Sequence, residues 1–116
     1  MKFLFVEDEV ELLNLYELFL EDMEIDYKLA KNGVEALELL ELGNFDFVFS
    51  DIRMPLMDGF ELLQNIRSKD MSLKSFVFIT AHVDITKEEA TKRGAKDILY
   101  KPVGHKVLKK YIKDLL

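Results

Sequence analysis

Short runs built almost wholly of apolar residues, separated by stretches with helical punctuation, constrain this chain more than any other feature of its sequence. Phe3–Val6 (Phe-Leu-Phe-Val), Phe45–Phe49 (Phe-Asp-Phe-Val-Phe) and Phe76–Ile79 (Phe-Val-Phe-Ile) are nearly continuous in apolar side chains. A strand with one wet face alternates apolar and polar residues, whereas a strand covered on both faces has no reason to. With two weaker runs included, the expected strands are Lys2–Val6, Asp26–Ala30, Phe45–Ser50, Ser75–Thr80 and Asp97–Tyr100.

The stretches between them read as helices. Asn32 with Glu35, Asp58 with Glu61, and Thr86 with Glu89 have the spacing of a capping box, and Gly94 is placed to close the fourth helix. That helix spans about Thr86–Arg93. The fifth spans about Gly104–Leu116 and presents Leu108, Ile112 and Leu115 as its apolar face. Five alternating strand and helix units give βαβ crossovers, hence an α/β fold with a parallel sheet and right-handed connections. No linker, repeat or composition break interrupts the alternation. The expectation is one domain over residues 1–116, with no output domain in this chain.

Composition removes several function classes. The chain has no cysteine, which excludes disulfides and cysteine-ligated metals. No apolar stretch approaches membrane-spanning length, and the start reaches Glu7-Asp8-Glu9 too soon for a signal peptide. A cytoplasmic location with no membrane partner is the expectation. Charge is unevenly spread: residues 1–51 carry 3 basic and 14 acidic side chains, residues 52–116 carry 13 and 8. The basic cluster Lys106, Lys109, Lys110 and Lys113 has only Tyr111 as an interleaved aromatic, so direct nucleic-acid binding is not expected.

An open doubly wound sheet places its site beyond the carboxyl ends of the strands, where strand order reverses. Glu7, Asp8, Asp51, Thr80 and Lys101 all fall at such ends. Two carboxylates about 4 Å apart repel by roughly 4 kcal/mol at an effective dielectric near 20. Three of them, with one lysine in return, call for a raised pKa or a bound cation. Few protein oxygens with room for water and phosphate suit Mg²⁺ rather than a caged Ca²⁺, with Mn²⁺ the alternative. Asp51 can then attack a phosphoryl group and form an acyl phosphate. Lys101 would neutralise developing oxygen charge, and Thr80 could donate its hydroxyl to another phosphoryl oxygen. Phosphohydrolases with an Asp-x-Asp motif use the second Asp as general acid; position 53 here is Arg, so no turnover phosphatase is expected.

These residues also carry a family resemblance. Val6-Glu7-Asp8-Glu9, Ser50-Asp51-Ile52-Arg53-Met54-Pro55-Leu56-Met57-Asp58-Gly59, Ile79-Thr80-Ala81 and Tyr100-Lys101-Pro102 resemble the receiver domain of two-component response regulators, over roughly residues 2–115. The resemblance implies a flavodoxin-like three-layer sandwich with sheet order 2-1-3-4-5. It implies phosphorylation of Asp51 by a sensor histidine kinase or histidine phosphotransfer protein, as part of a phosphorelay switch that turns over no metabolite. It implies Mg²⁺ ligation by Asp8, Asp51 and the backbone carbonyl of Arg53, with Glu7 acting through water. A cis Lys101–Pro102 bond belongs to the same pattern.

By the same resemblance, Arg53 and His82 line the rim of the site and would govern water access to the acyl phosphate. The family couples its Thr to an aromatic residue three positions before the Lys. That position is Ile98 here, while Tyr100 shares its strand parity. The fourth helix has only Ile85 and Ala90 to bury, which predicts low local stability. The resemblance further implies that the face formed by the fourth helix, fifth strand and fifth helix is the surface for a homodimer or an effector. Two other readings of the fold compete: a degenerate receiver-like interaction module, which would lack one of the site residues, and a flavin- or nucleotide-binding domain. The second needs a phosphate-binding loop where Glu7-Asp8-Glu9 stands.

Overall fold

The computed structural model describes residues 1–116. Strands and helices alternate throughout: β1 (Lys2–Val6), α1 (Val10–Glu21), β2 (Asp26–Ala30), α2 (Gly33–Leu42), β3 (Phe47–Ser50), α3 (Gly59–Ser68), β4 (Ser75–Thr80), α4 (Lys87–Lys92), β5 (Asp97–Tyr100) and α5 (His105–Leu115). All strand pairs are parallel, in the order β2-β1-β3-β4-β5. This is the flavodoxin-like doubly wound arrangement, whose order reverses between β1 and β3.

The continuous apolar runs work as the period of two requires. Phe3 and Phe5 of β1, Phe47 and Phe49 of β3, and Val77 and Ile79 of β4 face α1 and α5, joining Tyr16, Leu20, Leu108 and Ile112. Leu4, Val6, Val48, Phe76, Phe78 and Ile98 face the other way, toward Ala36, Leu40, Leu62, Leu63, Ile66 and Ala90. Parallel register sets Phe3 against Phe47 and Phe5 against Phe49, and the rings stack at 4.9 and 4.8 Å between centroids. Each such side chain contributes roughly 1.5–3 kcal/mol by leaving water. At the sheet edge, β2 alternates exposed Asp26 and Lys28 with half-buried Tyr27 and Leu29, a short charged edge that discourages further pairing.

Strand β3 starts at Phe47, two residues later than expected from the apolar run. Asp46 is the reason: its carboxylate accepts from the Lys2 amide at 2.8 Å, and its carbonyl accepts from Lys74 and Ser75 amides, so it anchors the approach to three strands. Helix α4 is confined to Lys87–Lys92, because Thr86 and Arg93 are its caps rather than its first and last turns. Helix α5 likewise begins at His105, after Gly104. Of the three capping boxes, only Asp58–Glu61 is reciprocal. Asn32 and Thr86 accept from the expected amides, but Glu35 accepts from the Lys31 amide and Glu89 turns to Arg93.

Candidate functional site

Backbone hydrogen bonds continue past the strand ends and thereby fix the functional side chains. The Glu7 amide donates to the Ala30 carbonyl at 3.0 Å, the Asp51 amide to the Val6 carbonyl at 3.0 Å, and the Lys101 amide to the Thr80 carbonyl at 2.8 Å. Each residue therefore leaves a strand already aligned with its neighbour. Gly59 matters for the same geometry: a Cβ there would collide with the Asp51 carbonyl, so the chain after Asp51 turns back closely only with glycine at this position. The Gly59 amide donates to the Ile52 carbonyl at 2.7 Å, closing that turn.

Glu7, Asp8 and Asp51 bring carboxylate oxygens within 4.8 Å of one another. Lys101 joins them from the far side of β4: its Nζ lies 2.8 Å from Asp51 Oδ2 and 2.7 Å from Glu7 Oε1. The contact with Asp51 is an aligned hydrogen bond. The contact with Glu7 is a close charge pair without hydrogen-bond alignment, and Oε1 has no other partner. Glu7 Oε2 accepts only from the Glu9 amide, at 3.2 Å. Asp51 Oδ1 accepts from the Ile52 amide at 2.7 Å.

Glu7 is 1% exposed and Asp51 7%. Burial pushes the Glu7 carboxyl up from 4.5 to about 7; Lys101 opposes the rise and Asp51 adds to it. For Lys101, burial pulls the ammonium down, but its contacts with Asp51 and Glu7 outweigh that and hold it above its ordinary value. Tyr16 beneath the cluster is raised by burial and then by the charges of Glu7 and Asp51. A dense, under-compensated negative site, in which the Lys101 ammonium serves both Glu7 and Asp51 and Asp8 stands half-exposed beside them, fits a small divalent cation.

Thr80 is fully buried at the end of β4, and its Oγ accepts from the His82 amide at 3.1 Å. It stands between the strands that carry Asp51 and Lys101. Arg53 is exposed and its side chain makes no hydrogen bond or ion pair, while His82 is half-buried. Ile98 is a core residue, 5% exposed. Tyr100 is the surprise: its hydroxyl donates to the carbonyl of Ile85, tying β5 to the loop before α4. Sequence parity placed Tyr100 on the correct face, yet nothing in the sequence names a backbone carbonyl as its partner. The Lys101–Pro102 bond is cis.

The fold, the strand-end acids, Thr80 and Lys101 together define the class, and comparison with known proteins agrees. The family model described as "Response regulator receiver domain" matches residues 3–113, and the chain belongs to that family, the switch module of phosphorelay signalling. A curated relative, the probable transcriptional regulator ycf29 of Porphyra purpurea, is 34% identical over 114 residues, covering 96% of this chain and 54% of its own length. Curated relatives are generally longer than the match; for the ycf29 protein of Pyropia yezoensis and LuxO of Vibrio cholerae the match covers 36% and 21% of their length.

Among solved structures, response regulator TrrA of Thermotoga maritima, in complex with Mg²⁺ and BeF, is 30% identical with a TM-score of 0.85, covering 99% of this chain and 98% of that one. A chain from the Saccharomyces cerevisiae co-crystal of the histidine phosphotransfer signaling protein Ypd1 with the receiver domain of its downstream response regulator Ssk1 is 31% identical. Its TM-score is 0.88, with 98% of this chain and 87% of that one covered. The degenerate-module reading loses its basis, since every site residue it would lack is present. A phosphate-binding reading of the β1–α1 loop meets buried Glu7 instead of a glycine-rich turn.

Proposed function

We propose that Asp51 accepts a phosphoryl group from a phosphohistidine of a sensor histidine kinase or histidine phosphotransfer protein. The observation that carries this reading is the juxtaposition of Asp51 Oδ2, the Lys101 ammonium and the Glu7–Asp8 pair. An Asp51 oxygen attacks phosphorus, the phosphorus–nitrogen bond breaks, and its electron pair leaves with the imidazole. Lys101 holds one Asp51 oxygen and balances charge on the transferred group, while Thr80 offers its hydroxyl to a phosphoryl oxygen.

Asp8, Asp51 and the Arg53 carbonyl would hold Mg²⁺, or Mn²⁺ in its place, with Glu7 acting through water. The ion supplies charge neutralisation for the phosphoryl oxygens. The relative crystallised with Mg²⁺ and BeF, and the one crystallised with Ypd1, support the metal and the class of donor. The chain acts as a switch that phosphorylates and dephosphorylates itself rather than as a turnover enzyme, with Arg53 and His82 at the rim governing hydrolysis.

Output runs through the face of α4, β5 and α5, toward a second copy or an effector. Tyr100 is the aromatic residue that reads the state of the β4–α4 loop, through the Ile85 carbonyl. Intact mass after incubation with acetyl phosphate tests the central step. The expected result is one phosphoryl group gained with Mg²⁺ and none in EDTA; a gain independent of the metal would contradict it.

A further inference from the structure

Helix α4 is six residues long and buries one side chain of its own, Ala90, yet its two ends are held very differently. The C-terminal end closes in a Schellman motif: the Gly94 amide donates to the Thr91 carbonyl at 3.0 Å and the Ala95 amide to the Ala90 carbonyl at 3.0 Å. Gly94 has φ +106, and a side chain there would collide with the guanidinium of Arg67. That guanidinium, from the last turn of α3, donates to the Gly94 carbonyl at 2.6 Å. One residue earlier, the Arg93 guanidinium lies 4.0 Å from the centre of the Phe60 ring on the first turn of α3. Phe60 in turn packs edge-on against Phe78 of β4, at 5.2 Å. The Lys96 amide then rejoins the sheet at the Phe76 carbonyl, at 2.8 Å.

The N-terminal end is closed by its own cap, the Glu89 amide donating to Thr86 Oγ at 3.0 Å, but has fewer ties to other elements. Ala81, Val83, Asp84, Thr86, Lys87 and Glu88 are exposed, and Ile85 is the buried residue of this stretch. Its carbonyl takes the Tyr100 hydroxyl. The Lys87–Asp97 pair at 3.5 Å is largely solvated on the lysine side and holds little. The Arg93–Glu89 pair is also half-exposed, so Arg93 acts chiefly through its ring contact.

We propose that α4 is a lever fixed at its C-terminal end: Arg67 and Arg93 hold residues 93–96 on α3, and within α4 and its two flanking loops the response to phosphorylation falls on residues 81–89 and spares 93–96. The inference deepens the reading of Asp51 as phosphoacceptor and rests on it for the activated state. A helix that slid or rotated as a whole, cap included, would have to break the Arg67 bond, the ring contact and the Lys96–Phe76 bond together. A helix that swings at its N-terminal end breaks none of them.

Residue-resolved amide exchange on the whole chain tests this, first with Mg²⁺ alone and then with Mg²⁺ and beryllofluoride as the phosphoryl mimic. In the unactivated protein, the Arg93, Gly94 and Ala95 amides are expected to exchange more slowly than those of Ile85, Glu89 and Ala90. Arg93→Ala should speed the first group about threefold, and Arg67→Ala with Arg93→Ala about tenfold. Glu89→Ala should leave their exchange unchanged. On adding beryllofluoride, the wild type should change at 81–89 and stay unchanged at 93–96, and the double variant should change at both. Equal exchange at the two ends before activation, or equal change at both ends after it, would overturn the lever. If the amides of 52–58 ignore beryllofluoride, the reading of Asp51 fails, while the unactivated protein still decides the anchoring.

Discussion

Lys101 Nζ reaches over the end of β4 to donate to Asp51 Oδ2 at 2.8 Å. The side chain is 15% exposed, so this bond and the 2.7 Å contact with Glu7 lie largely out of water. Removing one partner from such a group leaves uncompensated buried charge. Lys101→Met should therefore lose on the order of 3 kcal/mol of stability in EDTA. Mg²⁺ should restore more of it in the variant than it adds to the wild type, because the cation then replaces the missing ammonium. Urea midpoints with and without Mg²⁺ measure both effects; an unchanged midpoint in EDTA would contradict the pairing.

Burial makes Glu7 an unusual acid, with its pKa raised from 4.5 to about 7. A carboxyl raised in the folded state contributes stability while protonated, and that contribution fades as pH climbs through the folded pKa. Metal-free protein should accordingly become less stable between about pH 5 and about pH 8, opposite to the behaviour of a salt-bridged surface carboxylate. Glu7→Gln should flatten that slope, and Mg²⁺ should offset it at the upper end. Denaturation midpoints in EDTA across the same range give the sign directly.

Leu56 sits in the loop after Asp51 with φ 71 and is 79% exposed. A left-handed backbone at leucine costs roughly 1–2 kcal/mol, part of which glycine gives back through its own chain entropy. Leu56→Gly should stabilise the protein by about 0.5 kcal/mol or more, whereas Leu56→Ala should not, since alanine carries the same Cβ. Thermal melts of the pair decide it. A gain from alanine equal to that from glycine would show that shape, not backbone strain, governs this position.

Tyr100→Phe deletes one hydroxyl and nothing else. With the Ile85 carbonyl released, exchange at the Ile85 amide and its neighbours should rise about fivefold, the loss of a single hydrogen bond. The initial phosphorylation rate should stay within about twofold, because Tyr100 makes no contact with the carboxylate cluster. A variant that phosphorylates slowly but exchanges normally would place Tyr100 in the chemistry instead of the output.

Much of this was legible beforehand because strand-end position depends on topology alone. Apolar runs without alternation required helices on both faces, and alternation required parallel pairing, so Glu7, Asp51, Thr80 and Lys101 had to meet at one edge. What escaped was local and rotamer-dependent. Asp46 interrupts β3 because it bonds to the starts of both neighbouring strands, β1 and β4, a role that emerges only when they are in register. Glu35 and Glu89 fit the capping-box spacing yet turn elsewhere, toward Lys31 and Arg93. Spacing permits a reciprocal bond without choosing it over a competing donor. The burial of Glu7 and the Tyr100–Ile85 bond follow from side-chain directions across separate strands, which a linear pattern does not encode.

The most direct test is to locate the phosphoryl group chemically. Borohydride reduces an aspartyl phosphate to homoserine, so the protein would be treated with acetyl phosphate and Mg²⁺, reduced, digested and sequenced by mass. Homoserine at position 51, absent when Mg²⁺ is withheld, is the predicted result. Homoserine at Asp8 or Asp58, or none anywhere in folded protein that has gained a phosphoryl mass, would contradict the assignment of Asp51.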